Sequence, residues 1–330
     1  MMPFAYSKPD SIEQAVQQAG PDARFIAGGT NLLDLMKENV ERPSRVIDIT
    51  GLPLGEVRAT PLGGLRIGAL VSNAELAWHP EVEARYPLLS QAILAGASPQ
   101  LRNMASTGGN LLQRTRCHYF YDPAVPCNKR HPGSGCPARD GLNRQHAILG
   151  ASEQCVAVHP SDLCVALAAL DARVLVHGKQ GARAIPFAAF HRLPGTTPEQ
   201  DNGLAQDELI VAIELPQPRF VARCRYLKIR DRASYAFALV SVAAGLALTD
   251  DNRIAELRVA LGGVAHKPWR EAELEQSMHG RPASRDTWAD FADQLLRDAR
   301  PLEHNAFKIT LAKNAIIRAL SQAQAAEEQP

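Results

Sequence analysis

The sequence has few of the features on which nucleic-acid binding depends. Aromatic residues make up 5% of its 330 residues, and 36 Lys and Arg are balanced by 35 Asp and Glu, for a formal net charge of +1. Affinity for nucleic acid comes largely from clustered Lys and Arg that neutralise phosphates, and binding of single strands also uses aromatic stacking. We therefore expect no nucleic-acid partner.

Long apolar runs and an export signal are also missing. The longest uncharged stretch, 233–249, contains Ser234 and Ser241 and is shorter than the roughly 20 apolar residues that a membrane-spanning helix requires. Residues 1–10 show neither the basic region nor the apolar region of a signal peptide. We expect no membrane insertion and no export signal carried by this chain itself.

The chain does contain alternating strand-like and helix-like segments. Hydrophobic residues make up 45% of it, and its length allows two or three domains. Residues 24–27 and 46–49 are predicted strands around a helix at 31–39, and Pro216-Gln217-Pro218 is typical of a domain boundary. The pattern predicts two α/β or α+β units before Pro216 and an α+β unit after it.

The six cysteines are distributed unevenly. Disulfides are not the expected reason for them in a chain of this length without a signal peptide. Three lie in a segment, 115–144, that is rich in Pro, Gly, Arg and Asn and shows no apolar period. Long irregular segments inside compact domains are usually functional or disordered. The clustering indicates a metal site formed by Cys117, Cys127, Cys136 and Cys155.

Ligand chemistry narrows the kind of metal. Thiolates suit iron–sulfur clusters, copper(I) or zinc. Zinc sites usually contain Cys pairs two to four residues apart, whereas the intervals here are nine, eight and eighteen residues. We therefore favour an iron–sulfur cluster, and the alternative is four unrelated free cysteines. Cys164 and Cys224 are expected to pack in the core, which is a frequent fate of free cysteine.

Two glycine pairs lie at predicted turns. Paired glycines let the backbone approach a ligand closely, and a following helix start offers free N–H groups to an anion. Gly28-Gly29 fits this between a strand and a helix, and Gly108-Gly109 repeats the arrangement in a predicted turn. Together the turns could hold the two ends of one long ligand that contains a pyrophosphate. The alternative is two ordinary tight turns, since neither is the dinucleotide fingerprint GxGxxG.

Six motifs, taken in order, resemble the FAD-binding subunit of the xanthine dehydrogenase and carbon monoxide dehydrogenase family, the molybdenum hydroxylases. The resemblance covers nearly the whole chain. Its motifs are Ala27-Gly28-Gly29-Thr30, Gln100-Leu101-Arg102-Asn103, Thr107-Gly108-Gly109-Asn110, Pro160-Ser161-Asp162-Leu163, Asp207-Glu208-Leu209-Ile210 and Lys228-Ile229-Arg230-Asp231-Arg232-Ala233-Ser234-Tyr235-Ala236.

This resemblance implies an α+β fold. A two-part FAD-binding domain of the CO dehydrogenase flavoprotein type would cover 1–217, with an iron–sulfur insert at about 115–155. A smaller domain like the CO dehydrogenase flavoprotein C-terminal domain would cover 218–330. The FAD-binding residues implied are Ile26, Ala27, Gly28, Gly29, Thr30, Asn31, Leu32 and Leu33 at the pyrophosphate, Thr107, Gly109 and Asn110 at the pyrophosphate or flavin, and Asp162, Leu209 and Lys228 around the flavin.

From the residues alone, two of these positions have simpler explanations. Asp162 could be a first-turn helix carboxylate that is favoured by the helix dipole. Lys228 could be an ordinary surface charge on a strand.

The cysteine insert resembles only those family members that carry a [4Fe–4S] cluster. Residues 111–121 (LLQRTRCHYFY), 126–130 and 132–136 are similar to the FAD subunit of bacterial three-subunit aldehyde oxidoreductases. The resemblance implies an electron-transfer subunit without catalytic residues of its own. A molybdenum-cofactor-binding large subunit would oxidise an aldehyde, and electrons would pass through a [2Fe–2S] small subunit to this FAD and an external acceptor.

The sequence leaves alternatives open for both the cellular compartment and the general function. The family resemblance implies a periplasmic complex that is exported with a signal-bearing partner, whereas the lack of a signal in this chain favours the cytoplasm. A free-standing flavoprotein oxidase would act alone, and a non-enzymatic metal-binding assembly protein would lack flavin absorbance. A visible spectrum distinguishes the last of these from the others.

Overall fold

A computed structural model describes residues 1–326 of the chain, and its elements fall on either side of residues 216–223. The predicted α+β class is confirmed. The elements before that boundary are β1 (Ala5–Ser7), α1 (Ile12–Gln18), β2 (Ala23–Ile26), α2 (Leu32–Lys37), β3 (Arg45–Asp48), β4 (Val57–Ala59), β5 (Leu65–Gly68), α3 (Asn73–Ala77), α4 (Pro80–Arg85), α5 (Pro87–Ala95), α6 (Pro99–Met104), α7 (Thr107–Leu111), α8 (His118–Tyr121), α9 (Asp162–Ala169), β6 (Arg173–Gly178), β7 (Gly181–Pro186), α10 (Phe187–Phe190) and β8 (Leu209–Leu215).

The N-terminal part contains a small parallel sheet in which β3 pairs with both β1 and β2. Parallel neighbours need crossover connections, and α1 and α2 supply them. The first helix begins where Ser11 accepts a hydrogen bond from the Gln14 amide, an N-cap arrangement. Ala15 and Val16 of this helix pack against Ile47 of β3.

The rest of the first domain is built on a five-stranded antiparallel sheet with the order β4-β5-β8-β6-β7. The last of these strands in sequence, β8, lies in the middle of the sheet. Helices α5 and α9 share its core, in which Leu65, Ile213 and Leu163 are buried. This sheet and its helices position the segments on either side of the cysteine insert.

The second domain is a three-stranded antiparallel sheet with helices packed against it. β10 pairs with both β9 and β11, and Trp288, Phe291 and Ile316 are fully buried in the core. Its elements are β9 (Cys224–Ile229), β10 (Val240–Leu248), β11 (Ile254–Gly262), α11 (Ala272–Ser277), α12 (Arg285–Leu295) and α13 (Phe307–Ala325).

The cysteine insert is irregular, as its composition predicts, but it is tied to both domains. It contains α8 and a single 3-10 turn at Pro137–Arg139. Residues 147–149 do not form a strand. Instead the Ile148 amide donates to the Val264 carbonyl at 2.9 Å, and the Asn305 side chain donates to the His146 and Ala147 carbonyls, both at 3.2 Å.

Within residues 1–326, no helix combines the length and the apolar character that crossing a membrane requires.

A buried lysine of α13 gives a pH-dependent prediction. Lys308 is fully buried and donates to the carbonyls of His146, at 2.8 Å, and of Gly263. Burial, and then the charge of Arg144, lower its pKa from 10.5 to about 7. Between these values the unfolded chain binds the additional proton, so this group makes the free energy of unfolding rise with pH.

We expect the unfolding free energy of the wild type, minus that of Lys308→Met, to increase from pH 7 to pH 10. Its slope should approach about 1.4 kcal/mol per pH unit. Urea unfolding at several pH values measures it. The matched control is Lys313→Met, on the same helix, where the lysine is partly exposed and paired with Asp293. A difference for Lys308→Met that does not change with pH contradicts the prediction.

Candidate functional site

A groove of about 600 Å³ runs along the loop between β2 and α2, within the range of small-molecule and cofactor sites. Segments from α7 and from residues 199–206 form its other walls. Eight of the residues predicted to bind FAD line it: Ile26, Ala27, Gly28, Gly29, Thr30, Asn31, Leu32 and Gly109.

The two glycines of the β2–α2 loop are required by close contacts. A Cβ atom on Gly28 would lie 1.6 Å from the Met104 carbonyl oxygen, so this loop packs directly on the end of α6. Gly29 has a φ of +71°, and a Cβ atom there would lie 2.8 Å from Leu33 Cδ1. Glycine therefore brings the loop close to the segment that leads into α7, and leaves the groove wall free of side chains at this point.

The segment predicted as a turn at 107–110 is instead the first turn of α7. Ser106 caps the helix by accepting from the Gly109 amide. The Thr107 hydroxyl donates to the Val71 carbonyl, and Thr107 is buried. Asn110 accepts from the Ser161 hydroxyl at 2.5 Å. Only Gly109 of the three predicted residues here lines the groove, and the other two hold α7 against its neighbours.

Asp162 and Lys228 form a buried ion pair between the two domains. Lys228 Nζ lies 2.8 Å from Asp162 Oδ2, and the Tyr226 hydroxyl donates to Asp162 Oδ1 at 2.7 Å. Burial, and then the Asp162 charge, raise the pKa of Tyr226 well above its ordinary value. Lys228 is therefore not a surface charge, while Asp162 is both a first-turn residue of α9 and an ion-pair partner. Neither residue lines the groove.

A second, smaller cavity adjoins this ion pair. Asp162 lines it together with Phe237 and Ser241 of the second domain, and so does Cys117 of the insert. Leu209 lies elsewhere, buried in the core beside Ala15. The flavin-contacting roles predicted for Asp162, Leu209 and Lys228 stay predictions.

The structure brings all four cysteines of the predicted metal site to one pocket. Cys117, Cys127, Cys136 and Cys155 line it, together with Lys129 and other residues of the insert. Burial raises the pKa of Cys117 to about 12 and that of Cys155 to about 11. Without a metal the two thiols are therefore neutral at pH 7, and a bound metal would be needed to stabilise their thiolate forms.

The spacing of the four sulfurs distinguishes between kinds of metal. Across residues 1–326, one set of three His, Cys, Asp or Glu donors lies within 4.8 Å, and it contains none of these four cysteines. A tetrahedral zinc ion with Zn–S bonds of about 2.3 Å holds sulfurs about 3.8 Å apart. An iron–sulfur cluster separates its ligands more widely, because several irons lie between them. The donor set therefore fits a cluster better than a single ion.

The compact donor set is His159, Cys164 and His191, all buried. The Ser161 amide donates to His159 Nδ1 at 3.3 Å, so the neutral imidazole carries its proton on Nε2. The protonated Nε2 has no lone pair with which to bind a metal. His191 Nε2 donates to the Leu111 carbonyl at 2.8 Å. Burial lowers the pKa of His191 to about 4, so we interpret the set as neutral core side chains.

The two remaining cysteines lie apart from the four-cysteine pocket. Cys164 is fully buried in α9, and Cys224 is buried at the start of β9.

A buried chain of charges was not predicted from the sequence. Lys129, of the cysteine insert, pairs with Asp201 at 2.5 Å, and Asp201 pairs with Arg114 at 2.8 Å. These residues are 72 and 87 positions apart in the sequence. The only sequence signal was the crowding of basic residues around the cysteines.

Comparison with known proteins agrees with this architecture. A family model described as the FAD binding domain in molybdopterin dehydrogenase matches residues 2–218, and one for the CO dehydrogenase flavoprotein C-terminal domain matches 225–323. The chain is 51% identical to the aldehyde oxidoreductase FAD-binding subunit PaoB of Escherichia coli, over 98% of this chain and 99% of that protein.

More distant relatives also match over nearly the whole chain. Identity is 27% to the carbon monoxide dehydrogenase medium chain of Hydrogenophaga pseudoflava, over 98% of this chain and 97% of that protein. A solved structure of carbon monoxide dehydrogenase from that organism matches with a TM-score of 0.76 at 25% identity, covering 98% of this chain and 99% of the other. The chain belongs to the family of FAD-binding medium subunits of molybdenum-hydroxylase-type oxidoreductases, which includes those of aldehyde oxidoreductase and carbon monoxide dehydrogenase.

Proposed function

We propose that this chain transfers electrons in a molybdenum-dependent aldehyde oxidoreductase and holds a [4Fe–4S] cluster in addition to FAD. The observation that carries the cluster is the convergence of four cysteines on a single pocket, where no three of their sulfurs lie within 4.8 Å of one another. The relative that is 51% identical is an aldehyde oxidoreductase subunit, which supports the substrate class. Neither the cluster nor the aldehyde follows from family membership alone.

The groove residues would bind and orient the FAD. Residues 26–33 would hold the pyrophosphate against a wall that glycine keeps open, and Gly109 would face it from α7. Asn110 and Thr107 would fix the position of α7. Asp162 and Lys228 would hold the two domains together. The flavin contacts that the family resemblance implies for Asp162, Leu209 and Lys228 remain part of the proposal. When bound, the cofactors supply the redox chemistry, and the chain supplies binding, orientation and electrostatics.

The partners are proposed to be a molybdenum-cofactor-binding large subunit and a [2Fe–2S] small subunit. Family membership itself shows that the chain is a medium subunit of a multi-subunit molybdenum hydroxylase. We propose a periplasmic complex, exported by a signal on a partner, with the cytoplasm as the alternative. A free-standing oxidase or an assembly protein is not supported, because the relatives are named as subunits of oxidoreductases.

The first prediction tests the β2–α2 loop. Gly29→Val should bind FAD about fivefold to 150-fold more weakly and keep its iron, because the valine side chain would stand at the groove wall and strain of this kind costs on the order of 1–3 kcal/mol. Gly280→Val is the matched control: Gly280 also has a positive φ, of +75°, but lies in the second domain with open space around it. Fluorescence titration with FAD measures the affinity. Unchanged affinity in Gly29→Val would remove this loop from the site.

The second prediction tests the cluster ligands. Cys→Ser at position 117, 127, 136 or 155 should remove most of the iron and degrade the reduced-state EPR signal. Cys164→Ser and Cys224→Ser, at buried sites outside the pocket, should keep both. If Cys155→Ser keeps a normal cluster and Cys164→Ser loses it, the assignment of Cys155 as the fourth ligand is wrong. If all six variants keep their signal, the ligand set fails altogether.

The third prediction concerns activity. The full-length chain loaded with FAD should not oxidise aldehydes at a rate that approaches that of its complex, because the proposed oxidation site lies on the large subunit. Steady-state assays with an artificial electron acceptor, with and without co-purified partners, make the comparison. Equal rates would show that the chain works alone as an oxidase.

A further inference from the structure

A continuous chain of four charged side chains crosses the first domain. Lys129 Nζ lies 2.5 Å from Asp201 Oδ1 and donates to the Pro198 carbonyl at 2.7 Å. The other oxygen, Asp201 Oδ2, lies 2.8 Å from Arg114 Nε. Arg114 NH1 then contacts Glu41 Oε1 at 2.7 Å. The Lys129 side chain is 1% exposed, so its charge has no access to solvent.

The two ends of this chain belong to the two candidate cofactor sites. Lys129 lines the four-cysteine pocket. Asp201, Arg114 and Glu41 line the groove that contains the β2–α2 loop. The Arg114 guanidinium also lies 4.8 Å from the ring centre of Phe120, which lines the cysteine pocket. Asp201 therefore connects the two sites, because its carboxylate pairs with Lys129 of the cysteine pocket and with Arg114 of the groove.

Asp201 is ionised, and Lys129 acts on the cysteines. Burial opposes the ionisation of Asp201, but Lys129 and Arg114 hold its pKa well below the ordinary value. Lys129 lines the same pocket as Cys155 and the other three cysteines, so its ammonium charge lies beside the predicted ligands. The Asp201 carboxylate thus partly neutralises the positive charge that Lys129 places beside the cysteines.

We propose that Lys129 and Asp201 are positioning residues that set the reduction potential of the iron–sulfur cluster, and that Asp201 links this setting to the flavin groove through Arg114. The inference rests on the proposed function, because it requires the cluster. One-electron reduction adds a negative charge to a cluster, and the net charge around a cluster is one of the main determinants of its potential. A buried charge is screened little by solvent.

The two residues should shift the potential in opposite directions. Lys129→Met removes a positive charge and should lower the midpoint potential of the cluster. Asp201→Asn keeps the side-chain shape but leaves Lys129 without its counter-charge, so the midpoint potential should rise. Lys129→Arg keeps the charge and should return the potential close to that of wild type. A merely structural role would give no such opposition of sign, nor rescue by the conservative variant.

The experiment is an EPR-monitored redox titration of the full-length chain as purified, with iron content and FAD affinity measured on the same samples. Asp201→Asn should also weaken FAD binding severalfold, because Arg114 loses one of its two carboxylate partners at the groove wall. Glu214→Gln is the control, since Glu214 pairs with Arg66 at a half-exposed site on the sheet. It should change neither potential nor affinity.

The outcomes separate this inference from the proposal on which it rests. A wild-type chain without iron or a cluster signal overturns the proposed function, and this inference with it. A normal cluster whose potential stays unchanged, or shifts in the same direction, in Lys129→Met and Asp201→Asn overturns this inference alone. If Asp201→Asn does not accumulate as folded protein, the Lys129→Met and Lys129→Arg pair decides: a lowered and a restored potential support the inference, and any other pair of results overturns it.

Discussion

The order of the cysteine insert depends on polar contacts that hold its backbone from outside. Ordering a residue costs on the order of 1–2 kcal/mol of conformational entropy, and a segment without an apolar period can offset little of that by burial. Asn305 and Lys308 of the second domain donate to three carbonyls at 145–147. Within the insert, Asn128 bonds to the Gln154 carbonyl and accepts from the Gly135 amide. These contacts bring the four cysteines to one pocket, and metal–thiolate bonds would add to them.

The candidate FAD groove depends on close backbone contact, and the junction of the two domains depends on a buried ion pair. Gly28 lets the β2–α2 loop touch the Met104 carbonyl, which brings the loop near α7. The pair formed by Asp162 and Lys228 joins α9 to β9. Breaking a buried pair by removing one partner typically costs 3–5 kcal/mol, so this pair is a strong determinant of how the domains meet.

Features that depend on local sequence could be predicted, and features that depend on tertiary packing could not. The strands predicted at 24–27 and 46–49 and the helix predicted at 31–39 correspond to β2, β3 and α2, because apolar periodicity is a local signal. The turn predicted at 107–110 is helical, because Ser106 caps it and Val71 holds it. The strand β7, with little apolar character, was missed because it exists only by pairing with β6. The contact of Lys129 with Asp201 spans 72 residues, so local sequence could not predict it.

The most direct test of the account is the cofactor content of the purified full-length chain, read from its visible spectrum together with iron, zinc and FAD analysis. We predict flavin bands over a broad iron–sulfur absorption, with one FAD and about four irons per chain, the content of one [4Fe–4S] cluster. A flavin spectrum without iron, or zinc in place of iron, would contradict it.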